Sequence, residues 1–281
     1  MEALNPGAPL LVLGASGATG QYLINRLAGQ GVSVMAVSRH QPQRVDSHVI
    51  WLQHDLDRSP VDVEASALIS LGPLKHAFEQ VRATPRLGRV VALSSASTQF
   101  KARSPDTAER RVMAGLIELE SQLSELCSRR EITLSLLKPT MIYGAATNQN
   151  VQRVAQLSSH MRWLPYGGRG LRQPVHADDL ARLVMDCLKR GEASAGVWLL
   201  GGGESLTYPD MLRRIAVAAG QTPRLVRVPA FVLKGVLRLA HGIGRMRDIR
   251  PVMIDRQRVD LVVDDQPARE QLGWNPRPFR P

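Results

Sequence analysis

The sequence predicts an α/β protein built on a doubly wound parallel sheet. Near the N-terminus, a glycine-rich turn joins a short apolar run to a helical pattern, and further apolar runs alternate with helical patterns as far as residue 144. The chain of 281 residues is 44% hydrophobic, enough for a substantial core. Strands that alternate with crossover helices form parallel sheets, which bind ligands at the carboxyl ends of the strands.

The glycine-rich turn occupies residues 10–20, with the sequence LLVLGASGATG. Gly14 can turn with positive φ, Gly17 leaves no Cβ to block a pyrophosphate, and Gly20 lets the helix approach the strand. The free N–H groups that open such a helix face the phosphates. Glycine spacing alone also fits a purely structural turn, but the order of strand, turn and helix favours a dinucleotide-binding loop. Its predicted contacts are Gly14, Ser16, Gly17, Ala18, Thr19 and Gly20.

The end of the second apolar run, residues 32–37, predicts which dinucleotide is bound. An acidic residue here would accept hydrogen bonds from the adenosine ribose of NAD, whereas an arginine pairs with the 2′-phosphate of NADP. Ser38, Arg39 and His40 follow this run and include no carboxylate. The sequence therefore favours NADP over NAD, with Ser38 and Arg39 as contacts. The alternative is that Arg39 is an ordinary exposed loop charge.

Four more apolar runs complete the first part of the predicted sheet, at residues 49–52, 67–71, 89–93 and 132–137. The crossover from the first to the second of these runs is short for a full helix. A long helical pattern over residues 106–130 precedes the last run. Its predicted apolar face comprises Val112, Leu116, Leu119, Leu123 and Leu126.

Beyond Gly144 the regular alternation stops, and residues 145–175 are predicted to be irregular. A helix to about Lys189 follows, with Asp178 or Asp179 capping its first turn. A strand at 197–200 and a helix at 208–219 come next. Between them, the glycines at 201–203 either cradle a second phosphate or, as is more common for such a run, only form a turn.

A basic amphipathic segment spans residues 231–246 and spaces Val232, Val236, Leu239 and Ile243 along one face. Helices of this kind lie on anionic membranes in some proteins. Because several glycines weaken the pattern, we expect instead a helix that packs within a second lobe.

The formal net charge of +11 is concentrated in the second half of the chain. Residues 1–145 hold 15 Lys+Arg and 13 Asp+Glu, whereas residues 146–281 hold 21 and 12. Arginine supplies 31 of the 36 cations and grips phosphate or carboxylate in a bidentate fork. A small anionic substrate would suit this excess, although a compositional bias on a solvated surface explains it equally well. Nucleic acid is not expected, since aromatic residues are 4% and no nucleic-acid-binding signature is present.

The sequence predicts neither a membrane span nor a secretory signal, because it has no apolar run of 18 residues and no basic region before an apolar segment. We therefore expect a cytoplasmic protein. Cys127 and Cys187 lie in helical patterns without CxxC spacing, which predicts buried thiols rather than a disulfide. No motif predicts a metal site. Whether the chain forms a homodimer is left open.

Together these motifs resemble the extended short-chain dehydrogenase/reductase family, specifically the NAD(P)-dependent epimerase/dehydratase group that acts on nucleotide sugars. The resemblance rests on GASGATG, Asp55-Leu56, the strand ending in Ser94-Ser95, KPTMIYG at 138–144, PVHADDLA at 174–181 and AREQLGWNPRPF at 268–279. It implies a Rossmann-type domain from residues 1–144 and 176–200. A smaller interleaved C-terminal substrate lobe would comprise residues 145–175 and 201–281.

The resemblance also implies further cofactor contacts and a nucleotide sugar as the substrate. Asp55 and Leu56 match the adenine-side pair of the family. The residues that match its cofactor wall and nicotinamide end are Leu71, Gly72, Ser94, Pro139 and Thr140.

The catalytic pair is where the sequence departs from this family. Members use a tyrosine and a lysine four residues later, the lysine holding down the pKa of the tyrosine. Here the helix at 106–130 contains neither residue type, and Val112 and Leu116 fall near the two positions. The proton-transfer group is therefore unknown, with Ser95, Tyr143 and His176 as candidates.

Two functions from different classes remain. The first is an atypical NADP-dependent oxidoreductase or epimerase whose proton-transfer group comes from elsewhere in the chain. The second is a catalytically silent NADP-binding sensor, regulator or assembly factor. The missing pair favours the second, whereas the arginine-rich lobe and the retained loop at 138–144 favour the enzyme.

Overall fold

The computed structural model describes residues 9–30, 32–40, 49–144, 162–242 and 250–281, together with positions 154, 156, 157 and 244. The strands in these residues are β1 (Leu10–Leu13), β2 (Val34–Ser38), β3 (Val49–Gln53), β4 (Ala67–Ser70), β5 (Arg89–Leu93), β6 (Thr133–Pro139), β7 (Ile142–Tyr143), β8 (Trp163–Tyr166), β9 (Leu171–Arg172), β10 (Val175–His176), β11 (Gly196–Leu200), β12 (Leu206–Thr207) and β13 (Arg224–Arg227).

The helices alternate with these strands through the first part of the chain. They are α1 (Ala18–Ala28), α2 (Leu74–Ala83), α3 (Ser97–Lys101), α4 (Thr107–Arg129), α5 (Ala177–Arg190), α6 (Tyr208–Ala218), α7 (Ala230–Gly242), α8 (Pro251–Arg256) and α9 (Gln266–Leu272). A single 3₁₀ turn, Gly191–Ser194, follows α5.

A seven-stranded parallel sheet forms the centre, in the order β11-β6-β5-β4-β1-β2-β3. The side chains of β1 alternate between two buried layers, since Leu10 and Val12 belong to the layer that includes residues of α1 and α5. Leu11 and Leu13 belong to the layer that includes residues of α2 and α4. Helices therefore cover both faces, and the predicted Rossmann-type doubly wound sheet is confirmed.

The local predictions hold where short-range signals are strong. Asp106 caps α4 by accepting hydrogen bonds from the amides of Ala108 and Glu109. Residues 54–66 contain no helix, as the short crossover predicts. Cys127 and Cys187 are buried free thiols, and burial raises their pKa values to about 11 and about 12.

The segment predicted to be irregular contains short strands in its described part. Three two-stranded sheets pair β7 with β10, β9 with β12 and β8 with β13. The β9–β12 and β8–β13 pairs join residues that precede α5 to residues that follow β11, whereas both strands of the β7–β10 pair precede α5. Such pairings are non-local, so local sequence patterns carry little signal for them. Residues 145–153, within the segment predicted to be irregular, lie outside the described residues.

Near α5 the structure corrects the predicted helix cap and, of the two alternatives for the glycines at 201–203, supports the simple turn. His176, not an aspartate, caps the helix, because its Nδ1 accepts a hydrogen bond from the Asp178 amide at 3.1 Å. The glycines at 201–203 do not cradle a phosphate, since a Cβ on Gly202 or Gly203 would overlap the carbonyl oxygens of Pro174 or Pro276. The run is a turn enclosed by protein backbone.

Helix α7 forms within the predicted segment but packs through a different face. Val232, Val236 and Leu239 are exposed, whereas Leu237 is buried. The prediction that the first three face the second lobe is therefore wrong, and Ile243 lies outside the described residues. No helix in the described part of the chain has the length and apolar content that crossing a membrane requires.

The C-terminal segment is held against α5 by a buried carboxylate. Asp179, whose side chain has no exposed area, accepts hydrogen bonds from the amide and Nε of Arg277 at 2.9 and 3.0 Å. Asp178 pairs with Arg26 of α1 and with Arg277, both at 2.6 Å. Trp274 adds a hydrogen bond from its Nε1 to the Gly201 carbonyl oxygen, at 2.9 Å.

We predict that Asp179→Ala lowers the free energy of unfolding by about 2–3 kcal/mol, because it leaves the Nε and the backbone amide of Arg277 without their buried acceptor. Urea denaturation measures the loss. The control is Asp62→Ala, which removes an exposed carboxylate and should change stability by less than about 0.5 kcal/mol. Equal stability of the two variants would contradict the anchoring role.

Candidate functional site

The turn between β1 and α1 is closed on one side by the end of β4. Gly14 has φ +74°, and a Cβ there would lie 2.9 Å from the Gly72 nitrogen. At Gly20 a Cβ would overlap the carbonyl oxygens of Gly14 and Ala15. A Cβ on Gly17 would meet only the Gly14 oxygen, at 3.2 Å. The turn is therefore tightly packed at Gly14 and Gly20 and open at Gly17.

Helix α1 begins without a side-chain cap. Its N-cap is Gly17, and its first turn has no acidic residue. Side chains of Asp106, His176 and Thr207 cap α4, α5 and α6, whereas α2, α3, α8 and α9 share with α1 the lack of a side-chain cap. What sets α1 apart is its place after the glycine turn at the carboxyl end of β1. The first amides of a helix need a partner, and the positive end of the helix dipole favours an anion. An open, uncapped helix start at the carboxyl edge of a parallel sheet fits a dinucleotide diphosphate, which would be held by the amides of Ala18 and Thr19. The Gly17 amide is already engaged, since it donates to the Gly14 carbonyl oxygen at 3.0 Å.

The predicted cofactor-wall residues come together at the same edge of the sheet. The Leu71 amide donates to the Leu13 carbonyl oxygen at 3.0 Å, so the turn with Gly72 continues β4 beside the glycine loop. The Ser94 amide donates to the Leu137 carbonyl oxygen at 2.8 Å. Pro139 ends β6, and the Thr140 hydroxyl donates to the Gln173 carbonyl oxygen.

The predicted adenine-side residues follow β2 and β3, which are adjacent strands. Ser38 is buried and accepts a hydrogen bond from the His40 amide, at 3.3 Å, whereas Arg39 is exposed. Asp55 accepts a hydrogen bond from the Asp57 amide at 3.1 Å, and Leu56 packs against the sheet.

A charged cluster beside these residues was missed by the sequence analysis. Lys75, at the start of α2, donates a hydrogen bond to Asp57, and His76 Nε2 lies 3.1 Å from the same Asp57 oxygen. These hydrogen bonds lower the pKa of Asp57 to about 2. The cluster ties the loop after β3 to α2. It was missed because the helical pattern of α2 was not recognised.

A second polar cluster connects the ends of β5 and β6 to α4. Lys138 Nζ lies 2.6 Å from Glu120 Oε2, and both side chains are nearly buried. The Ser94 hydroxyl donates to the other Glu120 oxygen. Since all three groups are satisfied, the cluster fixes the relative position of β5, β6 and α4.

The two positions near which the family carries tyrosine and lysine differ in exposure. Val112 is 64% exposed, so it does not pack with the other apolar residues of α4 as the sequence predicts. Leu116 is partly buried against the sheet. Ser95 is also partly exposed at the end of β5, where its Oγ accepts a hydrogen bond from the Ser97 amide at 3.1 Å. The ring and hydroxyl of a tyrosine at position 112 would therefore have room.

Tyr143 and His176 are engaged in packing. Tyr143 is fully buried. Its hydroxyl donates a hydrogen bond to the Pro278 carbonyl oxygen and accepts one from the Arg280 amide, both at 3.2 Å. Burial raises its pKa. Burial lowers the pKa of His176, whose ring meets Tyr143 edge-on with centroids 5.0 Å apart. These contacts leave Ser95 as the candidate whose hydroxyl proton has no acceptor within the part of the chain that the structure describes.

The start of α4 also contacts the C-terminal part of the chain through charges. Glu109, 5% exposed, lies 2.8 Å from Arg256 of α8, and Asp106 lies 3.1 Å from Arg250. Lys101 of α3 is close to this group, and burial lowers its pKa. This link sets α8 beside the helix that carries Val112.

Comparisons with known proteins agree with this geometry. No protein-family model matches the chain. UDP-glucose 4-epimerase of Vibrio cholerae is 28% identical over 161 residues, which cover 57% of this chain and 47% of that protein. The aligned part of the chain thus spans about half the length of this relative.

Solved structures resemble the chain over nearly its whole length. UDP-glucuronic acid 4-epimerase from Bacillus cereus, in complex with NAD, has a TM-score of 0.69 at 14% identity and covers 96% of this chain and 92% of its own. MoeE5, in complex with UDP-glucuronic acid and NAD, has a TM-score of 0.69 at 20% identity, with coverages of 96% and 94%. The chain resembles the epimerase/dehydratase-like short-chain dehydrogenases/reductases. The resemblance inferred from the sequence motifs is thus confirmed.

We predict that Lys138→Met lowers the free energy of unfolding by about 3 kcal/mol, because it leaves Glu120 nearly buried without its cation. Adding Glu120→Gln should recover most of the loss, since the amide keeps a hydrogen-bond partner in Ser94 without carrying a charge. A double-mutant cycle from urea denaturation measures the coupling. Additive losses would show that the pair does not couple β6 to α4.

Proposed function

We propose that this chain is an NADP-binding, epimerase-like short-chain dehydrogenase/reductase that acts on a nucleotide sugar or a related anionic substrate. The observation that carries the proposal is the uncapped start of α1, open at Gly17 and bordered by the ends of β1 and β4. Two of the similar proteins, from Vibrio cholerae and Bacillus cereus, are named as nucleotide-sugar epimerases. The Bacillus cereus structure and that of MoeE5 contain NAD. When bound, the nicotinamide supplies hydride exchange with a carbon of the substrate.

NADP rather than NAD is proposed because of the end of β2. Arg39 is exposed there, and none of Ser38, Arg39 and His40 carries a carboxylate that would repel a 2′-phosphate. A guanidinium binds phosphate through two parallel hydrogen bonds, which strengthens the preference.

The proposed role of Ser95 is to hydrogen-bond the reacting hydroxyl of the substrate. Its Oγ already accepts a hydrogen bond from a backbone amide, which leaves its proton for an acceptor in the cleft. Ser95 is a weak acid, so it positions and polarises an oxygen rather than ionising as a tyrosine does. Turnover should therefore be slow.

A catalytically silent cofactor sensor is the second candidate. Its support is the absence of the tyrosine and lysine, together with the packing roles of Tyr143 and His176. Against it stands the exposure of Val112, whose side chain is not buried under other described residues. The two candidates share the cofactor site and differ in whether a substrate reaches it.

We predict that NADPH binds at least about tenfold more tightly than NADH, and that Arg39→Glu removes this difference by replacing a charge-assisted contact with a repulsive one. Fluorescence titration of the two reduced cofactors measures both affinities. Arg86→Glu, a change of equal charge at an exposed residue before β5, is the matched control and should leave both affinities unchanged. Tighter binding of NADH by the unaltered protein would refute the preference.

We further predict that Gly17→Asp abolishes binding of both cofactors, because a carboxylate would lie where the diphosphate is held. Circular dichroism and thermal melting check that the variant folds, as expected from the open surroundings of Gly17. Unchanged affinity would remove the cofactor site from this turn and, with it, the proposed function.

The enzyme and the sensor are distinguished by turnover. We predict that NADP with a panel of UDP-sugars gives slow conversion of at least one sugar, detected by chromatography, and that Ser95→Ala lowers kcat by about tenfold or more. Cofactor affinity of this variant should not change. Cofactor binding without conversion of any sugar, and without added density beside the nicotinamide in a crystal soaked with the panel, would establish the sensor instead.

A further inference from the structure

Helix α7 exposes a continuous apolar surface. Phe231 is 77% exposed, Leu239 76%, Val236 59% and Val232 39%. We call these four side chains the α7 face. Large apolar side chains on a single helix rarely remain this exposed in a monomer unless the surface contacts something else.

The α7 face follows the helical period. Successive residues advance by about 100°, so the four side chains, with Gly235 and Gly242, lie within an arc of about 140° that holds no polar residue. Leu237, on another side of the helix, is 5% exposed. Lys234, Arg238 and His241 follow one another along one border of the arc. The helix is therefore attached to the protein by one narrow side and presents a wider apolar side outward.

Cations outnumber carboxylates in the stretch of sequence that contains α7. Between Met211 and Arg247 the sequence contains eight Lys and Arg residues and no Asp or Glu. Lys234 is paired with Asp255 at 2.6 Å. At the start of α7, a concave site of about 610 Å³ is lined by Phe231, Lys234, Arg227 and Arg258, among others.

The apolar α7 face and the cations beside it favour one binding partner over another. A symmetric contact with a second copy of the chain would oppose this basic surface to itself, and like charges face to face are costly. An anionic bilayer instead offers an apolar layer for the α7 face, and phosphates for Arg238 on its border and for Arg227 and Arg258 at the start of the helix.

We propose that α7 docks on the surface of an anionic lipid bilayer, with the α7 face at the boundary of headgroups and acyl chains and the flanking cations at the lipid phosphates. The contact is interfacial and involves no spanning segment. It is independent of cofactor binding, so the failure of either proposal leaves the other intact.

Co-flotation of the full-length protein with vesicles tests the docking. Vesicles of phosphatidylcholine with 30% phosphatidylglycerol are compared with vesicles of phosphatidylcholine alone, at low and at physiological salt. We expect binding to the anionic vesicles, weakened by salt. Leu239→Glu should reduce the partition coefficient by about tenfold or more, since it places a charge in the centre of the α7 face.

The matched control is Val217→Glu. Val217 lies on α6 within the same acid-free stretch and is 57% exposed, so the substitution changes the net charge equally without touching the α7 face. It should bind like the unaltered protein. Both sites are exposed, and thermal melting checks that both variants fold.

Three results would overturn the proposal. The first is no binding to anionic vesicles, and the second is an equal loss in the two variants, which indicates adsorption by net charge alone. The third is a dimer in analytical ultracentrifugation that Leu239→Glu dissociates and Val217→Glu does not. That result would assign the α7 face to a second copy of the chain.

Discussion

The close approach of the β1–α1 turn to the end of β4 is the constraint on which the rest of the structure depends. Gly14 adopts a positive φ with its Cα against Gly72, and Gly20 brings the first turn of α1 onto the carbonyl oxygens of the loop. A side chain at either position would push α1 away from β1 and β4. Because α1 also packs against α5, its placement orients the helix whose aspartates hold the C-terminal segment.

The second constraint is the tie between α5 and the end of the chain. Asp178 bridges Arg26 and Arg277, so a single carboxylate connects α1 to the segment that covers Tyr143. Tyr143 in turn packs between His176 and Phe279. Two residues that looked available for chemistry in the sequence thus stabilise the junction between the sheet and the C-terminal segment. The Tyr143 hydroxyl and His176 Nδ1 already have hydrogen-bond partners, so a reaction site that uses these atoms would have to break those contacts.

The sequence was sufficient for the central sheet and insufficient for the surroundings of the site. The strands from β1 to β6 and the start of α4 follow from apolar runs, glycines and the Asp106 cap, which are local signals. Pairing of β8 with β13 depends on residues about 60 positions apart, and the Glu120–Lys138 pair on residues 18 apart. Such contacts form only when distant parts of the chain fold together, so local sequence patterns do not predict them. The same limit applies to α7, where periodicity identified the apolar face but not the direction in which it points.

The structure separates the framework of the site from its chemistry. Ser94, Glu120 and Lys138 form a closed set of polar contacts that positions the ends of β5 and β6 regardless of what stands at positions 112 and 116. The apolar residues at these positions fit the fold, because Val112 projects outward and Leu116 packs on the sheet. The proposed cofactor site of such a scaffold therefore does not depend on which residues carry out proton transfer. Whether turnover survives then depends on whether the partly exposed hydroxyl of Ser95 meets a substrate, which is a question of binding rather than of folding.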